Sequence, residues 1–181
     1  TSVDQPNFSG PAAMPEFSGV PPGVPIIQAI ERLPLALAMR ESTWLYPTVE
    51  TLHILGIAGL FGTVLLLDVR LLGLGKSIPL SPLVRLILPI AFVSLLLVML
   101  SGSLLFLTQA GELIALPLFA YKIALIMVLL TNATALHLRI GPLLVKSEIQ
   151  QGFPWSIRLQ AGASVLGWIV VVWLGRWLAY V

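Results

Sequence analysis

The sequence PTVETLHILGIAGLFGTVLLLDVRLLGLG, residues 47–75, is apolar enough to cross a bilayer, yet it carries Glu50, His53 and Asp68. At 100° per residue along a helix, Glu50 and Asp68 fall at the same angle, about 60° from His53. An ionisable side chain inside a membrane helix is costly and usually faces protein or a water-filled cavity rather than lipid. This stretch therefore predicts a membrane span with one polar face, and that face is the first candidate for a functional site.

The composition excludes a water-soluble protein. The chain has 181 residues, of which 57% are hydrophobic and 10% are charged, whereas soluble domains carry about 25% charged residues. It has no cysteine, which excludes disulfides, thiolate metal sites and cysteine nucleophiles. The net charge of +2 comes from a few loop cations, which indicate membrane orientation and give no reason to expect a nucleic-acid partner.

Four hydrophobic segments are each close to the roughly 20 residues that a bilayer requires. We predict an all-α integral membrane four-helix bundle over residues 44–181, with spans at about 45–67, 83–107, 116–138 and 159–180. Prolines are expected at or between the ends of the spans, where helices should stop; they are Pro79, Pro82, Pro117, Pro142 and Pro154.

Two stripes of small or hydroxyl-bearing residues favour close helix packing. Serine or threonine recurs every seven residues along the second span, at Ser94, Ser101 and Thr108. The fourth span carries a second stripe, at Ser164, Gly167, Val171 and Gly175. We interpret both stripes as packing surfaces that face the interior of the bundle.

Residues 1–43 precede the spans and divide into two parts. Residues 1–25 contain six prolines and three glycines, so we predict an extended arm, partly polyproline II, outside the membrane. We expect this arm to lie along a protein surface, its own or that of a neighbouring subunit, although a disordered tail fits the same composition. Residues 26–43 predict a short amphipathic helix in the membrane interface, bent or broken at Pro34.

The loop charges predict the membrane topology. Lysine and arginine flank or occupy the first and third loops, at Arg70, Lys76, Arg85, Arg139, Lys146 and Arg158, whereas the second loop has none. Because cationic loops stay in the cytoplasm, both termini are expected on the outer side.

Polar residues group at two depths along the spans. The outer cluster is Glu50, His53 and Lys122, with Arg176 within reach above it; the inner cluster is Asp68, His137 and Arg139. With a rise of 1.5 Å per residue, His137 lies about 22 Å deeper than Lys122. The two histidines are therefore not expected to hold one haem between them.

Each cluster also has a simpler interpretation. Glu50 and His53 can form a structural hydrogen bond, and Lys122 can extend its ammonium group to the outer interface. Asp68 can form an ion pair with Arg139 or His137 at a helix end. The Glu-x-x-His spacing of Glu50 and His53 is in addition a metal-ligand spacing in helical bundles.

Three parts of the chain resemble a family of bacterial four-span membrane proteins of unknown function. They are RESTWLYP at residues 40–47 leading into Glu50-x-x-His53, LDVRLLG at residues 67–73, and GRWLAY at residues 175–180. The resemblance covers about residues 35–181 and implies no activity. It does imply a multi-pass protein of the bacterial inner membrane, and in that membrane the loop charges predict both termini in the periplasm.

A second resemblance rests on Leu52-His53 early in the first span and Lys122 at the start of the third. This layout is similar to that of small membrane haem proteins, namely the small membrane type of protoporphyrinogen oxidase and copper-resistance D-type proteins. The resemblance implies that His53 is an axial ligand of haem b. It also implies that Lys122 is the partner ligand or an anchor for a propionate.

These observations leave three hypotheses open. The first is a haem b subunit of a larger membrane complex that passes electrons near the outer face, to or from quinone, with Lys122 and Arg176 neutralising propionates and Glu50 supporting His53. The second is a non-catalytic structural subunit, attached to its neighbours by the arm. The third is a small transporter or metal-handling protein that uses Glu50 and His53 as metal ligands. An enzyme that acts alone is not expected, because the chain has no nucleophile–base pair and no phosphate-binding loop.

Overall fold

The computed structural model describes residues 25–146, 153–178 and 180, and every regular element among them is a helix. The helices are α1 (Pro25–Glu31), α2 (Pro34–Glu41), α3 (Leu45–Leu72), α4 (Leu80–Thr108), α5 (Ala110–Ala115), α6 (Pro117–Lys146) and α7 (Trp155–Trp177). Four of them, α3, α4, α6 and α7, are long and apolar enough to cross a membrane. The prediction of an all-α, multi-pass membrane protein is therefore confirmed, while the arm predicted at residues 1–25 lies almost entirely outside the described residues.

Helix α3 is the central element of the bundle. It packs along α4 on one side and α7 on the other, and α7 in turn packs against α6. Helices α4 and α6 have few close contacts with each other, so the bundle is less tightly closed on that side. The first span thus contacts two of the other three, as expected for the stretch with a polar face.

Two of the spanning helices extend beyond their predicted ends, one past a charged residue and one past a proline. Helix α3 continues past Asp68 and ends at Gly73, whose left-handed φ of 104° suits glycine. Pro142 was predicted to lie at or beyond a helix end, and this is wrong, because it lies inside α6. A proline removes one backbone hydrogen bond, and within a membrane protein the remaining bonds are best kept by continuing the helix. Pro89 is likewise inside α4.

Helices α1 and α2 cover the end of the bundle at which α3 begins and α4 ends. We call this end outer and the opposite end inner, as labels within the bundle. They occupy the segment expected to bend or break at Pro34, and α2 begins at that proline. The Arg40 guanidinium donates to the carbonyl oxygen of Thr108, with Nε at 2.9 Å, and thereby satisfies a group at the end of α4. The Glu31 carboxylate accepts from the backbone N–H of Gly111 at 2.8 Å, in the first turn of α5. Arg40 and Glu31 also form an ion pair at 3.7 Å, so the two short helices are held to α4 and α5.

Two apolar clusters fill the bundle at different depths. The outer apolar cluster consists of Leu60, Leu129, Trp168 and Val171. The inner apolar cluster, towards the α3–α4 loop, consists of Leu71, Leu80, Val84, Leu136, Ile140, Phe153, Ile157 and Ala161. Polar side chains lie above the outer cluster and between the two clusters, and these two polar layers form the candidate site.

Candidate functional site

The outer polar layer brings His53 and Lys122 to the same depth. Leu60 of α3 and Leu129 of α6 pack together in the outer apolar cluster. His53 and Lys122 each precede one of these leucines by seven residues, which is two helical turns and returns to nearly the same face. The two side chains therefore lie at the same depth in the bundle, and they are close enough for the Lys122 charge to act on His53.

A hydrogen-bond chain through α4 fixes the tautomer of His53. The Nδ1 atom of His53 lies 3.0 Å from the hydroxyl oxygen of Ser101. The single hydroxyl proton of Ser101 is donated to the carbonyl oxygen of Leu97 at 2.5 Å, so towards His53 the hydroxyl can only accept. This arrangement assigns the proton to Nδ1 and leaves the lone pair of the neutral ring on Nε2.

Two glycines make room for the two polar side chains. A Cβ atom at Gly102 of α4 would lie 3.0 Å from Cε1 of His53, and one at Gly175 of α7 would lie 3.2 Å from Nζ of Lys122. Both distances are shorter than ordinary van der Waals contacts, so a larger residue would push against the ring or the ammonium group. Each of the four spanning helices thus contributes one residue to this layer: His53, Gly102, Lys122 and Gly175.

The other predicted members of the outer cluster lie at its edge. Glu50 is one turn above His53 and exposed, and its charge acts on the ring from there. Arg176 is exposed, and its guanidinium lies 4.7 Å from the ring centroid of Tyr180 and donates to the Tyr180 hydroxyl. Because Gly175 faces Lys122, the next residue along α7 is turned about 100° away from the layer. The structure therefore does not bring Arg176 to His53.

The two histidines are at opposite ends of the bundle. His53 lies seven residues to the outer side of Leu60, and His137 lies eight residues to the inner side of Leu129. Because these leucines pack together, the histidines are about 22 Å apart along the bundle axis. His137 is also exposed on α6. A single haem cannot be held by both histidines.

The inner polar layer lies between the two apolar clusters. Its centre is Asp68 of α3, with 1% of its surface exposed, next to Ser164 of α7, with 2% exposed. On the far side of α7, Asn132 and Gln160 each donate from the side-chain amide to the backbone carbonyl of the other, at 3.4 and 3.3 Å. These exchanged bonds join α6 to α7 at the same level.

The structure does not bring together the inner cluster of Asp68, His137 and Arg139. Arg139 is exposed and donates to Oε1 of Gln160 at 3.1 Å, and His137 is exposed as well. Within the described part of the chain, Asp68 forms no ion pair. The reason is that Asp68 faces α7, whereas Arg139 and His137 lie on the exposed surface of α6.

A metal site at Glu50 and His53 finds no further ligand of the usual kinds. Among the residues that the structure describes, no group of three histidine, aspartate or glutamate side chains is placed to hold a metal ion. Lys122 is the nearest additional nitrogen donor that the outer polar layer offers.

No family model, no curated protein and no solved structure matches the chain. The resemblances to a four-span bacterial family and to small membrane haem proteins therefore stay predictions.

Sequence reasoning identified His53 and Lys122 but missed the residue that orients the histidine. Ser101 was interpreted only as part of a packing stripe with Ser94 and Thr108. All three are buried; Ser101 contacts His53, and the carbonyl of Thr108 accepts from Arg40. The signal was present in the sequence, because a hydroxyl on an inward stripe is the simplest partner for a histidine on the adjacent helix.

Proposed function

We propose that this chain is a small haem b-binding subunit of a larger bacterial membrane complex, with His53 as the axial ligand near the outer face. The observation that carries the proposal is the contact of Nδ1 of His53 with the Ser101 hydroxyl at 3.0 Å, which holds the ring and, with the proton assigned to Nδ1, leaves the lone pair on Nε2. Metal-ligating histidines are almost always oriented in this way by a hydrogen bond at the other ring nitrogen.

The donor set of the outer polar layer fits haem b. Lys122 supplies an amine at the depth of His53, which suits either a second axial ligand or a cation beside a propionate. The absence of a Cβ atom at Gly102 and Gly175 lets the two side chains pack closely against α4 and α7. When bound, haem b would supply one-electron transfer, with a quinone as the proposed partner for exchange. Ser101 holds the ring, and Glu50 lies at the outer edge as a further charged neighbour.

We propose the bacterial inner membrane as the location, with both termini in the periplasm and the outer polar layer near that side. Support comes from Lys76 in the α3–α4 loop, flanked by Arg70 and Arg85, while the α4–α6 connection has no lysine or arginine. Reporter fusions at Lys76 and Glu112 test this. Cytoplasmic activity at Lys76 and periplasmic activity at Glu112 are expected, and the reverse pattern would overturn the orientation.

The proposed partners are neighbouring membrane subunits, reached through residues 1–25. Support comes from composition, because six prolines and few aliphatic residues cannot build a core but suit an extended segment on another surface. Phe8 and Phe17, each followed by Ser-Gly, are the proposed anchors. Deleting residues 2–24 should release the four-span body from the complex during purification, and unchanged co-purification would reject the strap.

One observation favours a structural subunit as the second candidate. A Cβ at Gly102 would meet the His53 ring at 3.0 Å, so the ring is already packed against α4 and hydrogen-bonded to it. In a structural subunit, this hydrogen-bonded polar layer would have no role beyond setting the register of α3 against α4. An independent metal-handling role has less support, since among the described residues no third ligand of the usual kinds joins Glu50 and His53.

The experiment that separates these candidates compares His53→Ala with His137→Ala. The protein is purified from haem-replete bacterial membranes and its reduced-minus-oxidised absorption spectrum is recorded. We expect His53→Ala to abolish the haem b bands and His137→Ala to retain them, because His137 is exposed and about 22 Å away along the axis. Equal loss in both variants would indicate general unfolding, and retention in both would reject His53 as the ligand.

A further inference from the structure

The inner polar layer contains a buried acid that the proposed haem function does not use. Asp68 has 1% of its surface exposed, and its Oδ2 atom has no hydrogen-bond partner among the described residues. Buried polar atoms in proteins are nearly always paired with protein or with ordered water. An orphan oxygen on a carboxyl group in the middle of a membrane protein therefore calls for a ligand.

The surroundings of Asp68 exclude bulk water on both sides. On α3, Leu60 and Leu71 belong to the outer and inner apolar clusters, and Asp68 lies between them. On α7, Ser164 lies in the same way between Ala161 and Trp168. The carboxyl group is thus enclosed by hydrocarbon above and below, with the Ser164 hydroxyl beside it.

A second unpartnered polar atom lies on the same face of α7. The indole Nε1–H of Trp168 is buried without a hydrogen-bond acceptor among the described residues. Trp168 follows Ser164 by four residues, so the two share one face and are separated by about 6 Å along the helix. The orphan acid oxygen, the unpartnered indole N–H and the Ser164 hydroxyl would give a buried water three partners, within the two to four that such a water uses.

Among the side chains that the structure describes, no charged group is paired with Asp68. The described titratable and charged groups at this end of the surrounding helices are Arg70 on α3, Arg85 on α4, His137 and Arg139 on α6, and Arg158 on α7. Arg70 donates to the carbonyl oxygens of Ile78 and Lys76. The other four are exposed, and two have partners: Arg139 bonds to Gln160, and Arg158 lies over the ring of Trp155.

An ionised carboxylate without a cation is too costly in such a place, because no solvent or counter-charge stabilises it. We propose that Asp68 is an intramembrane proton-binding site, in which the neutral acid bonds to a water molecule shared with Ser164 and Trp168. The acid O–H donates to the water oxygen, the Trp168 N–H donates to the same oxygen, and the water donates to the Ser164 hydroxyl.

Isotope labelling tests this without altering the site. The chain has only two aspartates, Asp4 and Asp68, so protein grown with side-chain ¹³C-aspartate and carrying Asp4→Asn is labelled at Asp68 alone. Infrared spectra of this full-length protein in lipid at neutral pH should show the carbonyl stretch of a protonated carboxylic acid at the ¹³C-shifted frequency. The band should shift again after transfer to D2O, because an exchanging acid takes up deuterium.

Two variants complete the test. Glu50→Gln, which changes an exposed carboxyl on the same helix, should leave the labelled band unchanged, whereas Trp168→Phe should shift it, because one donor to the shared water is lost. A ¹³C-shifted carboxylate band in place of the acid band would overturn the proposal, and would indicate an ionised Asp68 with a bound cation. An acid band that does not shift in D2O would also overturn it, since the proton would not exchange. Neither result depends on whether haem is bound.

Discussion

Replacing Ser101 by alanine should weaken both the α3–α4 contact and the ligand geometry of His53. The hydroxyl makes one bond between helices, to Nδ1 of His53 at 3.0 Å, and one within α4, to the carbonyl of Leu97. Loss of the first costs about 1 kcal/mol, and leaving a half-buried N–H without an acceptor brings the loss in unfolding free energy to about 1–2 kcal/mol. For haem, removal of such an orienting partner lowers affinity by about 10- to 100-fold.

Ser103→Ala is the matched control for this change. Ser103 is two residues further along α4, is exposed, and donates to the carbonyl of Met99 at 2.7 Å. It therefore loses the same kind of bond within the helix without touching His53. We expect its effect to stay within about 0.5 kcal/mol, as for most surface substitutions.

Three measurements compare Ser101→Ala with its control Ser103→Ala. Unfolding in mixed detergent micelles gives the difference in free energy, titration with haem gives the affinity, and ¹⁵N NMR of histidine reports the tautomer. The native protein should carry the His53 proton on Nδ1, and Ser101→Ala should shift the population towards Nε2–H. Identical stability, affinity and tautomer in the two variants would refute the assignment of Ser101 as the orienting residue.

Two further predictions concern helix packing and the attachment of α1 and α2. Gly167→Ala would place Cβ 2.6 Å from Cδ2 of buried Leu129, and this overpacking should lower the free energy of unfolding by about 1–3 kcal/mol. In the control Gly62→Ala, the added Cβ meets no atom within 4 Å, so stability should be unchanged or slightly higher. Equal melting temperatures of the two variants would contradict this prediction. Arg40→Ala removes the donor to Thr108 and should speed amide hydrogen exchange in α1 and α2 while leaving α3 unchanged; unchanged exchange in α1 and α2 would show that Arg40 does not hold them.

Depth was predictable from the sequence because the rise of a helix is constant. The first and third spans run in the same direction, so counting residues from their outer ends placed His53 and Lys122 together and His137 far below. The four spans were predictable for a related reason, since their length is set by the bilayer. The continuation of α6 through Pro142 was not, because it depends on the cost of leaving backbone groups unpaired in a membrane.

Lateral position was harder to predict than depth. The face of a helix that meets a neighbour depends on which helix packs beside it. The sequence does not show that α3 packs on α7, or that α4 and α6 have few close contacts. Asp68 was therefore expected to pair with Arg139 or His137 of α6, whereas it faces Ser164 of α7. Arg176 was expected within reach of His53 and Lys122. The residue of α7 that faces Lys122 is instead its neighbour Gly175.

The visible absorption spectrum of the purified wild-type protein shows directly whether the chain holds a haem at His53. The protein should be expressed in haem-replete bacteria, purified in detergent and reduced with dithionite. We expect reduced haem b bands, with about one haem per chain by pyridine haemochrome assay. A colourless preparation that also fails to bind added haem would contradict it.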